Sequence, residues 1–160
     1  MEEINFSYAV EFTLRAEGLI SNDPKDTGGA TILGVSSKWY PYTFKVLKQL
    51  LDKGKVNEAI QTSIDFYRVE FWEGANCNNL ADDSFSSLAI VTFDAAVNCG
   101  IANSRRFIKN GDWRYALLNR VIYNTKCKTE ETHLRGWTRR CARLYKYIEA
   151  LEELRFKGGE

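Results

Sequence analysis

The chain has 160 residues, 44% hydrophobic and 13% aromatic, which fits one domain with a single real core and excludes a disordered or low-complexity chain. A net charge of +1 gives no ground for a nucleic-acid partner, and no run approaches the ~20 apolar residues of a membrane span. Four cysteines without a C-x-x-C pair, beside a single histidine, His133, speak against a zinc site.

In chain order, the N-terminus Met1-Glu2-Glu3 is acidic and lacks the apolar core of a signal peptide, so synthesis in the cytoplasm is expected. Residues 6–16 read as a helix that is apolar on most sides, stopped by Gly18, with Glu17 as its last residue. Residues 21–30 hold Ser, Asn, two Asp, Pro, Thr and two Gly and read as turns. Thr31, Leu33 and Val35 then alternate with Ile32, Gly34 and Ser36, which suggests a small β-hairpin with Gly28-Gly29 as its turn.

Everything after it reads helical. Phe44, Leu47, Leu50 and Leu51 mark one helix, stopped by Gly54, and Val56 to about Trp72 a second. Residues 76–84 form a polar loop. Residues 85–99 are apolar nearly all round, as in a helix buried on every side, and Gly100 ends it. Asp94 and Asn98 interrupt it four residues apart and so share a face. A short helix over 104–109, another over 113–126 and a long one from about Thr129 to Leu154 complete the chain. The last carries the seam Leu134, Trp137, Cys141, Leu144, Ile148 and Leu151, read as docking on the domain rather than as a dimer seam. From Arg114 to Lys146 nine basic residues stand against Glu130 and Glu131, either a solvated helix face or a surface for an anionic polymer. Cys77, Cys99, Cys127 and Cys141 sit near apolar neighbours and read as buried free thiols. The predicted architecture is mainly α, with one central buried helix and one small N-terminal hairpin.

The one dense cluster of reactive residue types is Glu17, Asp23, Asp26 and Thr31. His133 has no nucleophile motif near it, and Gly28-Gly29 lacks the spacing and lysine of a phosphate loop. Paired carboxylates remain, the equipment of glycoside hydrolysis. Glu17, at the negative end of a helix dipole after an apolar run, has reason to stay protonated and serve as acid. Asp26, in a polar turn, should stay ionised and serve as base, with Thr31 helping to hold a water. On residue chemistry alone, turn-forming aspartates and an exposed helix end account for the same stretch, and both readings stand.

Glu17-Gly18, Asn22-Asp23-Pro24, Asp26, Gly28-Gly29-Ala30-Thr31 and Gly34 resemble the signature segment of glycoside hydrolase family 108, N-acetylmuramidases found as phage endolysins and as bacterial proteins. Phe66-Tyr67 through Cys77, the run Phe93 to Gly100, and Leu134-Arg135-Gly136-Trp137-Thr138-Arg139-Arg140 look like the same family in the same order. The resemblance implies a lysozyme-like helical domain over 1–160, whose C-terminal part, about 95–157, looks like a predicted peptidoglycan-binding region; the buried helix at 85–99 must serve both halves, so that part is not expected to fold independently. It implies hydrolysis of the β-1,4 bond between N-acetylmuramic acid and N-acetylglucosamine, with Glu17 the catalytic glutamate and no cofactor or metal. Expected partners are peptidoglycan glycan strands, with no nucleic acid and no membrane insertion, for a monomer that a holin or other pore would release if it is phage-encoded.

Two departures from the pattern stand out. Four residues separate Asp26 from Thr31, one fewer than in phage-type lysozymes, and one residue reverses side-chain direction in a strand. Leu19 and Ile20 replace the family's usual Gly and Tyr. Asp23 is either a turn-former beside Pro24 or a substrate contact. Trp39, Tyr40 and Tyr42 either line the glycan groove or pack in the core. Asp94 and Asn98 either face the cleft or satisfy buried backbone.

Overall fold

The computed structural model describes the backbone of residues 2–17, 20–21, 29–80, 85–127 and 130–157. The chain adopts the expected mainly-α, lysozyme-like fold with a central buried helix and a small N-terminal sheet.

The centre is α4, Ser87–Cys99, in which Ser87 and every residue from Ala89 to Ala96 is buried. It begins two residues later than the apolar run because Ser86 caps it, its Oγ accepting from the Ala89 N–H at 3.1 Å. Phe85, left outside the helix, packs edge-on against Tyr8. Against α4 lies α1, Glu2–Glu17. It starts four residues before the apolar pattern, where Arg68 pairs with Glu3 at 2.6 Å and covers the Phe6 ring at 4.0 Å. Its buried face carries Asn5, Phe6, Ala9, Phe12 and Thr13. Phe6, Tyr67, Trp72 and Phe93 form an aromatic knot with centroids 5.5–6.1 Å apart. Each such pair adds about 1 kcal/mol beyond area burial.

The β signal lies where expected and contains a tight turn that the sequence pattern did not indicate. Strands β1 (Ile20–Ser21), β2 (Thr31–Ile32) and β3 (Val35–Ser36) form an antiparallel sheet in that order. The tight turn is Leu33-Gly34, at φ 51 and 76, the pair of left-handed residues a type I′ turn requires. The alternation over 31–36 is therefore strand, turn and strand rather than one strand, and Gly28 lies outside the described residues. A left-handed leucine costs about 1–2 kcal/mol. Burial of Leu33 in a small cluster with Ile32, Val35, Leu47 and Ala59 offsets that cost.

Pro41 opens α2 (Pro41–Asp52), and Gly54 separates it from α3 (Val56–Tyr67). The second expected helix does run to Glu73, but its last part, Arg68–Glu73, widens into a π-helix. This brings Tyr67, Phe71 and Trp72 to one buried face. A Cβ at Gly74 would meet the Glu70 carbonyl oxygen at 2.2 Å and Ile101 Cδ1 at 2.9 Å, so the turn after it needs glycine. The polar loop holds one 3-10 turn, Cys77–Leu80. Next come α5 (Ile101–Phe107), three residues earlier than expected because Gly100 both ends α4 and opens it, and α6 (Trp113–Asn124), capped by Asp112. Last is α7 (Glu130–Lys157), where Cys141, Leu144, Ile148 and Leu151 of the predicted seam are buried in the main core. All four cysteines are free thiols.

Asp94 ties α4 to the two helices that follow. Its carboxylate accepts from Arg120 Nη1 at 2.5 Å and from Arg140 Nη2 at 2.8 Å and Nε at 3.1 Å. Of the two alternatives left by the sequence, Asn98 takes the backbone bond and Asp94 takes neither. Asp94 is wholly buried in an ion triad, whereas Asn98 is exposed and donates from Nδ2 to the Asp94 carbonyl at 2.9 Å.

Candidate active site

Two local rules place the ends of the candidate segment. An apolar helix stops before a glycine, so α1 ends on Glu17. Three residues on, Ile20 pairs with Ile32 and Ser21 with Thr31. Three residues span at most about 11 Å. The helix end is therefore tethered close to the sheet through the β1–β2 pairing. The Glu17 side chain, Asp23 and Asp26 lie outside the described residues, as do Leu19 and the Ile20 side chain.

Thr31 sits where β2 pairs with both neighbours, opposite Ser21 and Ser36. Ile32 is buried in the small core, so Thr31, the residue before it, lies on the other face of the sheet and is half-buried. Ser36 supports the same edge. Its Oγ accepts from the Lys38 and Trp39 N–H groups, both at 3.2 Å, and turns the chain toward α2.

The aromatic candidates separate. Trp39 is 66% exposed, with Lys38 Nζ 4.9 Å above its ring. Tyr42 is also exposed. Tyr40 packs edge-on against Phe66 at 4.8 Å and Phe71 at 5.9 Å. Its hydroxyl donates to Glu70 Oε1 at 3.2 Å. Burial, then the Glu70 charge, pushes that hydroxyl up to about 12. Tyr40, Leu14 and Phe66 each touch both the main core and the cluster under the sheet, so these three side chains join the two. Asn98 lines a cavity with Arg120 and Trp137 that takes no residue from the sheet.

Beside the last turns of α1 the structure adds residues that the sequence did not single out. Phe12 and Arg15 of α1 face Arg143, Lys146 and Tyr147 of α7 across a groove of about 330 Å³. Arg15 pairs with Glu11 at 2.6 Å. The Tyr147 hydroxyl lies 3.2 Å from the Tyr8 carbonyl and 3.3 Å from Glu11 Oε2, and burial followed by the Glu11 charge raises its pKa. Arg140 lies 6.0 Å from the Phe12 ring. The excess of basic residues over 114–146 was the signal for half of this groove. The other half is the i, i+3 pair Phe12 and Arg15, which an isolated α1 does not distinguish from any helix face.

No group of three or more His, Cys, Asp or Glu able to hold a metal occurs among the described residues. No described helix is long and apolar enough to cross a membrane.

The arrangement has a solved counterpart. A structure of Brucella abortus SagA aligns with 94% of this chain and 95% of its own, with a TM-score of 0.67 at 20% identity, a likeness of fold. No curated protein matches the chain. The family model described as Glycosyl hydrolase 108 matches residues 10–100, a span that includes Glu17, Asp23, Asp26, Thr31 and the Asp94–Asn98 face. With more than half of its length matched by that model, the chain belongs to glycosyl hydrolase family 108.

Proposed function

We propose that the protein is an N-acetylmuramidase that hydrolyses the β-1,4 bond between N-acetylmuramic acid and N-acetylglucosamine in peptidoglycan. The observation that carries this reading is the family match across the segment in which α1 terminates on Glu17. A carboxylic acid at a helix C-terminus feels the negative end of the dipole, which favours the protonated form a leaving oxygen needs. Glu17 is the general acid. Asp26, which lies between β1 and β2 in the sequence, is the carboxylate that activates water, with Thr31 of β2 to orient it. Asp23, Trp39, Tyr40 and Asn98 are the proposed sugar contacts, with the Trp39 ring exposed to receive a sugar face.

The basic groove between α1 and α7 supports an anionic polymer as substrate, since charges flanking a site raise the local concentration of an oppositely charged partner. The same reading makes the protein a monomeric endolysin, synthesised in the cytoplasm and released to the wall through a holin or comparable pore. The full chain acts as one catalytic unit.

The test is mass spectrometry of the fragments released from purified sacculi. Wild type should yield reducing N-acetylmuramic ends. Glu17→Gln should lower the rate by roughly a hundredfold or more, with unchanged circular dichroism. Asp26→Asn should do likewise, and Thr31→Ala should fall between these variants and wild type. Anhydromuramic ends would instead identify a lytic transglycosylase. Full activity of Glu17→Gln would overturn the assignment of the acid.

A further inference from the structure

Helix α6 is apolar on two faces. Trp113, Ala116 and Leu117 are buried in the main core, whereas Tyr115, Leu118 and Ile122 are exposed, at i, i+3 and i+7. A surface helix ordinarily carries polar residues on that side. Between α6 and α7 runs an apolar groove of about 390 Å³, lined by Leu117, Leu118 and Val121 from α6 and by Cys141, Ala142 and Tyr145 from α7. Leu118, 52% exposed, belongs to both the groove and the outer stripe, so the two make one continuous apolar surface. Contiguous surfaces of this kind mark interaction sites, while single exposed apolar residues do not.

The edges of the groove select the partner. Arg114 and Lys146 line it, and among the described residues no carboxylate does. Arg135, Arg139 and Lys146 share the stripe of Ala142 on α7, at spacings of four, three and four, and all three are exposed. None of the three has an ion-pair partner among the described residues, whereas Arg114 pairs with Glu152 at 3.5 Å. A second copy laid symmetrically on this face would set these basic columns against each other, which opposes a dimer. A flat membrane would leave the groove unfilled, whereas a helix about 10 Å across packs its ridges into the groove between two others. We propose that the α6–α7 groove receives an α-helix of an acidic partner protein. Its apolar side chains, at i, i+3 or i+4 and i+7, seat between Leu118 and Ala142, and its carboxylates face Arg135, Arg139 and Lys146. The proposal does not depend on the glycosidase reading.

The experiment titrates the full chain, labelled with ¹⁵N, with a synthetic helical peptide of about 18 residues that carries leucine on one stripe and glutamate on its flanks. A control peptide replaces each glutamate with lysine. Saturable amide shifts are expected over residues 115–122 and 135–146 with the acidic peptide, weakening as salt is added, and none with the basic one. Leu118→Asp should weaken binding by roughly tenfold or more. Arg139→Glu, at an exposed position on the other wall, should weaken it several-fold and is the second variant if Leu118→Asp does not fold. No saturable shift in wild type would overturn the proposal, as would equal binding of the two peptides or unchanged affinity in both folded variants. Retention of the chain on phosphatidylglycerol vesicles that Leu118→Asp abolishes would overturn it in favour of a membrane surface. Sedimentation of wild type as a dimer that Leu118→Asp dissociates would overturn it in favour of a second copy.

Discussion

Asp94 is the residue on which the helical half depends. Burial by itself would push its carboxyl up, but the charges and hydrogen bonds of Arg140 and Arg120 outweigh that and lower it to about 2. An unfolded aspartate titrates near ~3.9. The native value is the depressed one, so this contribution is complete above about pH 4 and disappears as the pH falls through about 2. The shift corresponds to about 2–3 kcal/mol. Asp94→Asn leaves two guanidiniums facing a neutral amide and should cost about 3–5 kcal/mol near neutrality. Urea denaturation of both proteins from pH 7 to pH 2 checks this, and the gap between their midpoints should shrink in the acid range. A gap constant with pH would mean that Asp94 is not ionised in the native state. The sequence indicated that Asp94 and Asn98 share a face, because four residues make one helical turn. It could not indicate the partners, which lie 26 and 46 residues away on α6 and α7. Glu17 was the easiest residue to place, since an apolar run before a glycine fixes a helix end locally.

At the scale of elements, the sheet shows what local rules miss. Gly28-Gly29 is the stronger turn signal by composition, and leucine is among the residues least suited to positive φ. Between β2 and β3 the chain turns at Leu33-Gly34, a register that puts Ile32, Leu33 and Val35 into one apolar cluster with Leu47 and Ala59. Tertiary burial decides where propensity does not. The turn is held from outside by Tyr67, whose buried hydroxyl donates to the Leu33 carbonyl at 2.9 Å. Tyr67→Phe keeps the ring in the aromatic knot and strands that carbonyl, at a cost of about 1–2 kcal/mol. Because the lost bond belongs to the turn, amide exchange should rise first at residues 31–37. Activity should fall by more than the loss of folded protein explains. A uniform rise in exchange across α1 and α4 would show that Tyr67 acts on the core and not on the sheet. The π-helix over Arg68–Glu73 was equally hidden, since a widened turn shifts the apolar seam by one residue without removing it.

At the scale of the whole molecule, the boundary of the family match and the boundary of the core do not coincide. The match ends at residue 100, just after α4, yet the main core runs from Phe6 to Leu151. α4 is apolar on every side because α1 covers it from one direction and the later helices from others. Cutting the chain after Gly100 would expose Ala89 to Ala96 on the sides that α5, α6 and α7 cover and would leave Asp94 without either arginine. An apolar helix with one uncompensated buried carboxylate cannot hold a core of that size. A fragment of residues 1–100 should therefore lack the near-ultraviolet circular dichroism of the Phe6–Trp72–Phe93 knot, bind a hydrophobic dye and release no sugar from sacculi. The full chain should unfold in one transition, with tryptophan fluorescence and far-ultraviolet ellipticity coincident. A soluble fragment with dispersed amide resonances would overturn the single-unit reading. It would also make the C-terminal helices an appended module, to be tested for wall binding by themselves.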